Sequence, residues 1–362
     1  KAEYIAIDTE FIRERTYWPK LCLIQVFDGK KASIIDPLVN GIDLAPLIDL
    51  LENDSITKIF HAGRQDIEIF YNLTNNIPKN VFDTQIAAMV CGFGESIGYE
   101  RLVSRLLSKK IDKTSRFTNW EKRPLSKKQK DYAISDVTHL FDLYPIIKKQ
   151  VFDNKRNDWV KEEMNILTAK KTYEQDPDNA WKRLKIRSSD EKSISILFHL
   201  AKWRERKSQE LDIPRGKLLR DEAIYEISSS QPESEKEISG LRSFSRINIK
   251  SNYINEILEE IRNAKSVKIN DLPEMSNNNR VSQGISAKIS ILKILLDSIS
   301  ADYGVAQKLI ANKDDLEKLI IDDNANIKTL KGWRYEIFGK KAQNPSAAEV
   351  DFYVGINQET NG

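Results

Sequence analysis

The sequence predicts a mixed α/β domain followed by a wholly helical half. Three observations carry that expectation. Strand and helix signals alternate over the first 150 residues, strand signals stop there, and two later amphipathic stretches each lead into shorter helices. A chain of 362 residues has length for two or three domains with their own cores.

Tyr4–Thr9, Leu21–Phe27 and Ala32–Ile35 read as strands, the last two joined by a hairpin turn at Asp28-Gly29. Asp43 is placed to cap a helix through Leu50, and Thr57–Phe60 is a short buried strand. Arg64–Leu73, Thr84–Val90 and the segment holding Leu102–Leu107 read as helices. Ser126–Leu143 reads as a long helix that Pro145 should end, because proline lacks the N–H and crowds the preceding turn. A hairpin followed by alternating strands and helices implies a mixed sheet with flanking helices. Phe152–Lys171 then reads as a charged connecting helix, and Lys192–Glu210 as an amphipathic helix with Ile196, Leu200 and Trp203 on its core stripe. Ile213-Pro214-Arg215-Gly216 breaks it, and Asp221–Ile227, Glu235–Leu241 and Ser251–Ala264 read as shorter helices. A polar linker at Ser276–Arg280 leads to a second helical group, from Ser286 to about Lys340, that suggests a weak repeat of the first.

Composition narrows the class. The chain is 40% hydrophobic and 31% charged, and no apolar run approaches the roughly 18 residues that cross a membrane. Cys22 and Cys91 lie in apolar surroundings without a partner motif, so reduced thiols and a cytoplasmic location are expected. Three His and two Cys argue against a structural zinc site. No GxxxxGK[ST] phosphate loop is present, so no nucleoside triphosphate is expected as partner. The first strand starts almost at Lys1, from which a missing native N-terminal segment is expected. Net charge is only +3, but its distribution is uneven. Arg101 to Lys130 holds 11 Lys and Arg against two acids, and Lys182 to Arg220 holds 12 against five. Such clusters predict a polyanionic partner.

The chemistry centres on Tyr4 to Phe11, YIAIDTEF, an apolar run ending in Asp8 and Glu10. Residues i and i+2 of a strand share a face, so the two carboxylates should emerge side by side with Thr9 facing away. Paired desolvated carboxylates repel, and a hard cation such as Mg²⁺ or Mn²⁺ would let both stay ionised. Asp66, in His61-Ala62-Gly63-Arg64-Gln65-Asp66, should open a helix at the C-terminal edge of the sheet, where open α/β sheets build their sites. Tyr132 and Asp136 are i and i+4 on one helix and share a face. Upstream, Phe117-Thr118-Asn119-Trp120 and Glu121-Lys122-Arg123-Pro124-Leu125 form an aromatic and basic loop. His61 reads as structural and Trp203 as core.

Asp8-x-Glu10, a later Asp66 and Tyr132-x-x-x-Asp136 resemble the DEDD exonucleases with the tyrosine form of the third motif. The strings DTEF, HAGRQD, NWEKRPL and DYAISDV are similar to those of the bacterial ribonuclease D family, in its order. Residues 192–268, with LAKWRERKSQELDIPRGKLLRDEAIYEIS, resemble an HRDC domain, and residues 286–342 a more divergent second one. The family carries a short segment before the first strand that this sequence lacks. The resemblance implies a ribonuclease-H-like 3′–5′ exonuclease domain over residues 1–171, an HRDC domain over 190–270 and a second HRDC-like domain over 281–356.

What the resemblance implies for function is specific. RNA would be hydrolysed from its 3′ end to 5′-mononucleotides, with tRNA precursors and other structured RNAs as substrates. Asp8, Glu10, Asp66 and Asp136 would hold two divalent ions, Mg²⁺ or Mn²⁺, and Tyr132 would orient the attacking water. A phenol with an unperturbed pKa near 10 is a poor base, so positioning suits it better. Thr9, Phe11, Gln65, Trp120 and Arg123 are the expected substrate contacts. A monomer is expected. The alternatives are a DNA 3′–5′ exonuclease of the same fold, since metals act on phosphate in either polymer, and a catalytically silent RNA-binding protein. The helical half is expected to grip RNA phosphates, and a chain ending near Lys171 to keep cleaving short oligonucleotides.

Overall fold

The computed structural model describes residues 2–112, 114–186, 188–244, 251–267 and 283–343. The linker expected at Ser276–Arg280 lies outside them. The chain forms two compact units: one from Lys1–Glu10, Cys22–Thr172 and Asn278–Gly362, the other from Phe11–Leu21 and Tyr173–Asn277, each taken over its described residues.

In the first unit a five-stranded sheet has the order β3-β2-β1-β4-β5 among the described residues. Its strands are β1 (Tyr4–Ile12), β2 (Lys20–Phe27), β3 (Ala32–Ile35), β4 (Thr57–Phe60) and β5 (Val81–Asp83). The β2–β3 pair is antiparallel, whereas β4 runs parallel to both β1 and β5, with Ala6 opposite Ile59. The sheet is therefore mixed, as predicted, with β1 central and longer than its expected end at Thr9. Five helices follow in this part of the chain: α1 (Ala45–Glu52), α2 (Arg64–Thr74), α3 (Thr84–Val90), α4 (Tyr99–Leu107) and α5 (Lys127–Asp153). α1 starts just after the expected cap, and the Asp43 carboxylate accepts from the Ala45 N–H at 2.9 Å.

The long helix departs most from expectation. α5 runs through Pro145 to Asp153. An interior proline costs about 3 kcal/mol. Leu143, Tyr144, Ile147 and Val151 are all buried around it. Each such side chain contributes roughly 1.5–3 kcal/mol on burial, so packing outweighs the local penalty. The predicted helix over 152–171 is interrupted instead at Lys155, whose φ is +57°, and resumes as α6 (Asn157–Leu167).

The second unit is helical: α7 (Glu191–Glu210), α8 (Arg215–Leu218), α9 (Asp221–Ser230), α10 (Glu235–Ser239) and α11 (Ser251–Ser266). Its core gathers Ile196, Leu200 and Trp203 from α7 with Ile224, Ile227, Ile257 and Ile261. Six of the twelve Lys and Arg of the basic stretch are paired with acids of this unit among the described residues. Arg183 pairs with Glu205, Lys202 with Asp178, Arg204 with Asp221, Arg206 with Glu260, Lys207 with Glu256, and Arg215 with Glu205. Its pull on a polyanion is therefore weaker than the count of basic residues predicts.

The C-terminal helices α12 (Gln283–Tyr303), α13 (Gln307–Ile310) and α14 (Lys313–Ile321) return to the first unit. Arg334, 2% exposed, pairs with Glu163 of α6 and donates from Nε to the Leu309 carbonyl at 2.7 Å. Trp159 and Trp333 stack at 4.3 Å between centroids, and the Ala306 N–H donates to the Met89 carbonyl at 3.0 Å. A chain ending near Lys171, expected above to keep cleaving short oligonucleotides, would leave Glu163 and Trp159 without these partners. Breaking a buried ion pair from one side costs about 3–5 kcal/mol. Arg334→Ala should lower unfolding free energy by about that much in urea, and Arg334→Met with Glu163→Leu should restore most of it. A loss below about 1 kcal/mol for Arg334→Ala would mean the C-terminal group is not seated through this pair.

Candidate active site

Three elements bring the carboxylates together. Asp8 and Glu10 lie on β1, Asp66 in the first turn of α2, and Asp136 on α5. The α5 stripe Ala133, Asp136, Val137, Leu140, Tyr144 repeats at helical spacing and is buried. Val137, Leu140 and Tyr144 pack on Ala6 of β1 and Ile59 of β4, which docks Asp136 against the end of β1. Ser126 and Gln129 close a capping box at the start of α5. The turn from β4 into α2 is equally determined. Asp83 accepts from the N–H groups of Ala62 at 3.2 Å and Gly63 at 2.7 Å, while also capping α3. A Cβ at position 63 would stand 2.5 Å from that of Phe60, so only glycine lets the turn pass.

Asp8, Glu10 and Asp136 each offer an oxygen within 4.8 Å of the others. Asp66 is engaged differently, since the Thr9 hydroxyl donates to its carboxylate. Thr9 is therefore not idle on the far face, nor exposed to substrate. It is 6% exposed and ties the second motif to the first. A cleft of about 450 Å³ opens over this end of the sheet, lined by Asp8, His61, Tyr99, Arg116, Tyr132 and Asp136 among others.

Burial and mutual repulsion dominate the electrostatics. Desolvation, then the charges of Asp66, Asp136 and Glu10, hold Asp8 well above the usual carboxylate range. Desolvation with Asp136 and Asp66 pushes Glu10 up to about 9. Asp136 rises to about 7 and Asp66 to about 6, chiefly through burial, with hydrogen bonds from Tyr132 and Thr9 respectively pulling the other way. The Tyr132 phenol is raised by burial and by the same carboxylates, so it stays protonated at neutral pH. Asp136 Oδ1 is buried with no hydrogen-bond partner. Oxygen-only donors, excess negative charge and an unpartnered buried carboxylate oxygen fit a hard divalent cation.

The expected substrate contacts fare unevenly. Trp120 is 3% exposed, with its ring 6.1 Å from that of Tyr132, so it backs the tyrosine and has no face for a base. Arg123 is consumed by a bidentate pair with Asp36, at 2.6 and 2.7 Å, and by the Cys22 and Trp120 carbonyls. Both residues anchor the loop and do not reach out from it. Gln65 is exposed on α2 and does not line the cleft, and Phe11 continues β1, half-buried. His61 lines the cleft, and its Nδ1 lies 3.0 Å from the Thr84 hydroxyl. Two of the cleft residues outside the predicted site bear on its carboxylates. The Tyr99 hydroxyl donates to the Asp136 carbonyl, and Arg116 faces Glu10 and Asp136. Arg116 sits one residue before the Phe117–Trp120 run, and its exposure separates it from the buried Trp120.

The sheet, the docked α5 and the carboxylate cluster define a nuclease of the 3′–5′ exonuclease class. A family model of that description matches residues 1–151, and the HRDC domain model matches residues 194–261. The ribonuclease D of Bartonella henselae is 42% identical over 354 residues, spanning 98% of this chain and 87% of the relative. That of Nitrobacter hamburgensis is 41% identical, spanning 93% of this chain and 88% of the relative. The crystal structure of Escherichia coli RNase D, an exoribonuclease involved in structured RNA processing, superposes with a TM-score of 0.82 at 28% identity, covering 95% of this chain and 92% of that one. The chain belongs to the ribonuclease D family and is a hydrolytic 3′–5′ exoribonuclease. Divalent metals follow from the exonuclease fold together with the acidic cluster. Among the described residues no helix is long and apolar enough to cross a membrane.

The raised carboxylates make stability depend on pH. In the unfolded chain Asp and Glu release protons near 3.8 and 4.5, whereas in the fold Asp66, Asp136 and Glu10 hold them to about 6, 7 and 9. The native state binds more protons across that window, so stability is full below about 4 and is lost as pH rises towards about 9. In EDTA the Tm should fall between pH 5 and 9. Asp8→Asn should flatten that fall, and Mn²⁺ should reverse it in the wild type. A metal-free Tm that rises over this range would contradict the assignment of repelling, desolvated carboxylates.

Proposed function

We propose that Asp8, Glu10, Asp66 and Asp136 hold two divalent ions, Mg²⁺ or Mn²⁺, and that the enzyme trims the 3′ ends of structured RNAs, tRNA precursors above all. The observation that carries this reading is the approach of Asp8, Glu10 and Asp136 to within 4.8 Å, with Asp136 buried and the other two half-buried. When bound, the ions supply the positive charge that stabilises the attacking and leaving oxygens of an in-line displacement at phosphorus. Asp66 is held in line by the Thr9 hydroxyl, so its carboxylate keeps one orientation. Tyr132, protonated and interacting with the Asp136 carboxylate, orients the water rather than taking its proton. The helical group around residues 281–356 is read as a second HRDC-like domain. The two cysteines are free and fit a reducing, cytoplasmic setting, in which the chain acts as a monomer.

The substrate assay uses 3′-labelled tRNA precursor and single-stranded DNA, each with Mg²⁺, Mn²⁺ or EDTA. Release of 5′-mononucleotides from the RNA alone, and only with metal, is expected. Asp8→Asn should abolish release while leaving the fold intact. Tyr132→Phe should lower turnover by roughly 10²-fold with little change in RNA affinity. Wild-type rates for Asp8→Asn, or turnover within about twofold for Tyr132→Phe, would remove the role assigned to that residue.

A further inference from the structure

The loop that was expected to contact substrate through Trp120 and Arg123 presents two other residues. The Ser115 carbonyl accepts from the Thr118 N–H at 3.2 Å and from its hydroxyl at 2.7 Å, closing a turn with Arg116 and Phe117 at its tip. The base of that turn is fixed. Ser115 is buried, the Gln129 side-chain amide donates to Thr118 Oγ1 at 3.1 Å, and Trp120 Nε1 donates to the Arg116 carbonyl at 3.5 Å. The tip is open. Phe117 is 89% exposed, the most exposed of the large apolar side chains described. The Arg116 guanidinium lies 5.1 Å from the centre of the Phe117 ring and lines the cleft that holds Asp8 and Asp136. A scattered surface phenylalanine needs no explanation. One at the tip of a turn whose base is fixed, beside a cation that lines a nuclease cleft, offers a stacking face next to a phosphate ligand.

We propose that Arg116 and Phe117 grip the 3′-terminal nucleotide, Arg116 binding the phosphate that joins it to the chain and Phe117 stacking on its base. Arg116 lines the same cleft as Asp8 and Asp136, which puts its charge close to the acidic cluster. Stacking accepts any base, and a guanidinium–phosphate contact reads none, so the grip suits an enzyme that must remove successive nucleotides of any identity.

The proposal rests on the assigned carboxylate site, and its test avoids turnover so that the two can fail separately. Affinity for a short oligoribonucleotide is measured by fluorescence anisotropy at pH 6 in EDTA, over a range of salt. Three RNAs are compared: unmodified, with a neutral methylphosphonate at the terminal linkage, and with an abasic 3′ nucleotide. Arg116→Gln should weaken binding of unmodified RNA roughly tenfold and reduce the salt slope by about 0.7, the share of one single-strand phosphate contact. It should cost nothing further on the methylphosphonate. Phe117→Ala should also cost roughly tenfold, with Phe117→Trp recovering it, and should have no effect on the abasic RNA. Both positions are exposed, so thermal unfolding should match the wild type. Unchanged affinity for unmodified RNA in either variant, or an equal loss on the modified RNAs, overturns the corresponding half of the grip. Arg116→Gln tightening Mn²⁺ binding without changing RNA affinity would identify Arg116 as a counter-ion to the carboxylates alone.

Discussion

Buried like charge at the end of β1 is the constraint on which the rest of the first unit depends. Carboxylates from β1, α2 and α5 converge in a partly buried cleft, where burial and their neighbours' charges raise the proton affinity of Asp8 and Glu10. Such a cluster persists only because other interactions hold its members in place. Packing of α5 on Ala6 and Ile59 fixes Asp136, the strand fixes Asp8 and Glu10, and Asp83 with Gly63 fixes the turn that aims Asp66. The fold thus stores an unfavourable arrangement that a divalent cation relieves, and ion binding at the site is coupled to stability.

The chain order hides a structural division of labour. Residues after 283 lie far from the nuclease strands in sequence, yet they bury Arg334 against Glu163 and stack Trp333 on Trp159. α6 is therefore less a tether than a seat for the C-terminal helices. The second unit holds half of the Lys and Arg of its basic stretch in internal pairs, with Glu205 serving both Arg183 and Arg215. The Lys and Arg there act first as structural partners, and the loop at Arg116 is the more direct candidate for nucleic acid.

Much of this was legible in the sequence where local chemistry and periodicity agree. The alternation before residue 150, the helical stripe through Asp136 and the i+2 pair Asp8 and Glu10 each follow from one short stretch. What escaped depends on contacts distant in sequence. Pro145 stops a helix locally, but a buried face on either side carries α5 through it. Thr9 looked turned away because strand alternation says so, and only the arrival of α2 gives its hydroxyl a carboxylate. Trp120 and Arg123 sit in the right loop with the right chemistry, but Asp36, 87 residues away, takes the guanidinium. Exposure, which separates Arg116 and Phe117 from them, has no signature in composition.

The central claim is that the four carboxylates are a divalent-metal site held partly protonated until metal arrives. Calorimetric titration of the metal-free protein with Mn²⁺ at pH 7, repeated in two buffers of different ionisation enthalpy, measures both stoichiometry and proton release. Groups raised to about 7 and about 9 should lose protons as the ions bind, so the account predicts two ions and at least one proton released per chain. Binding with no buffer dependence, or no binding at all, would contradict it.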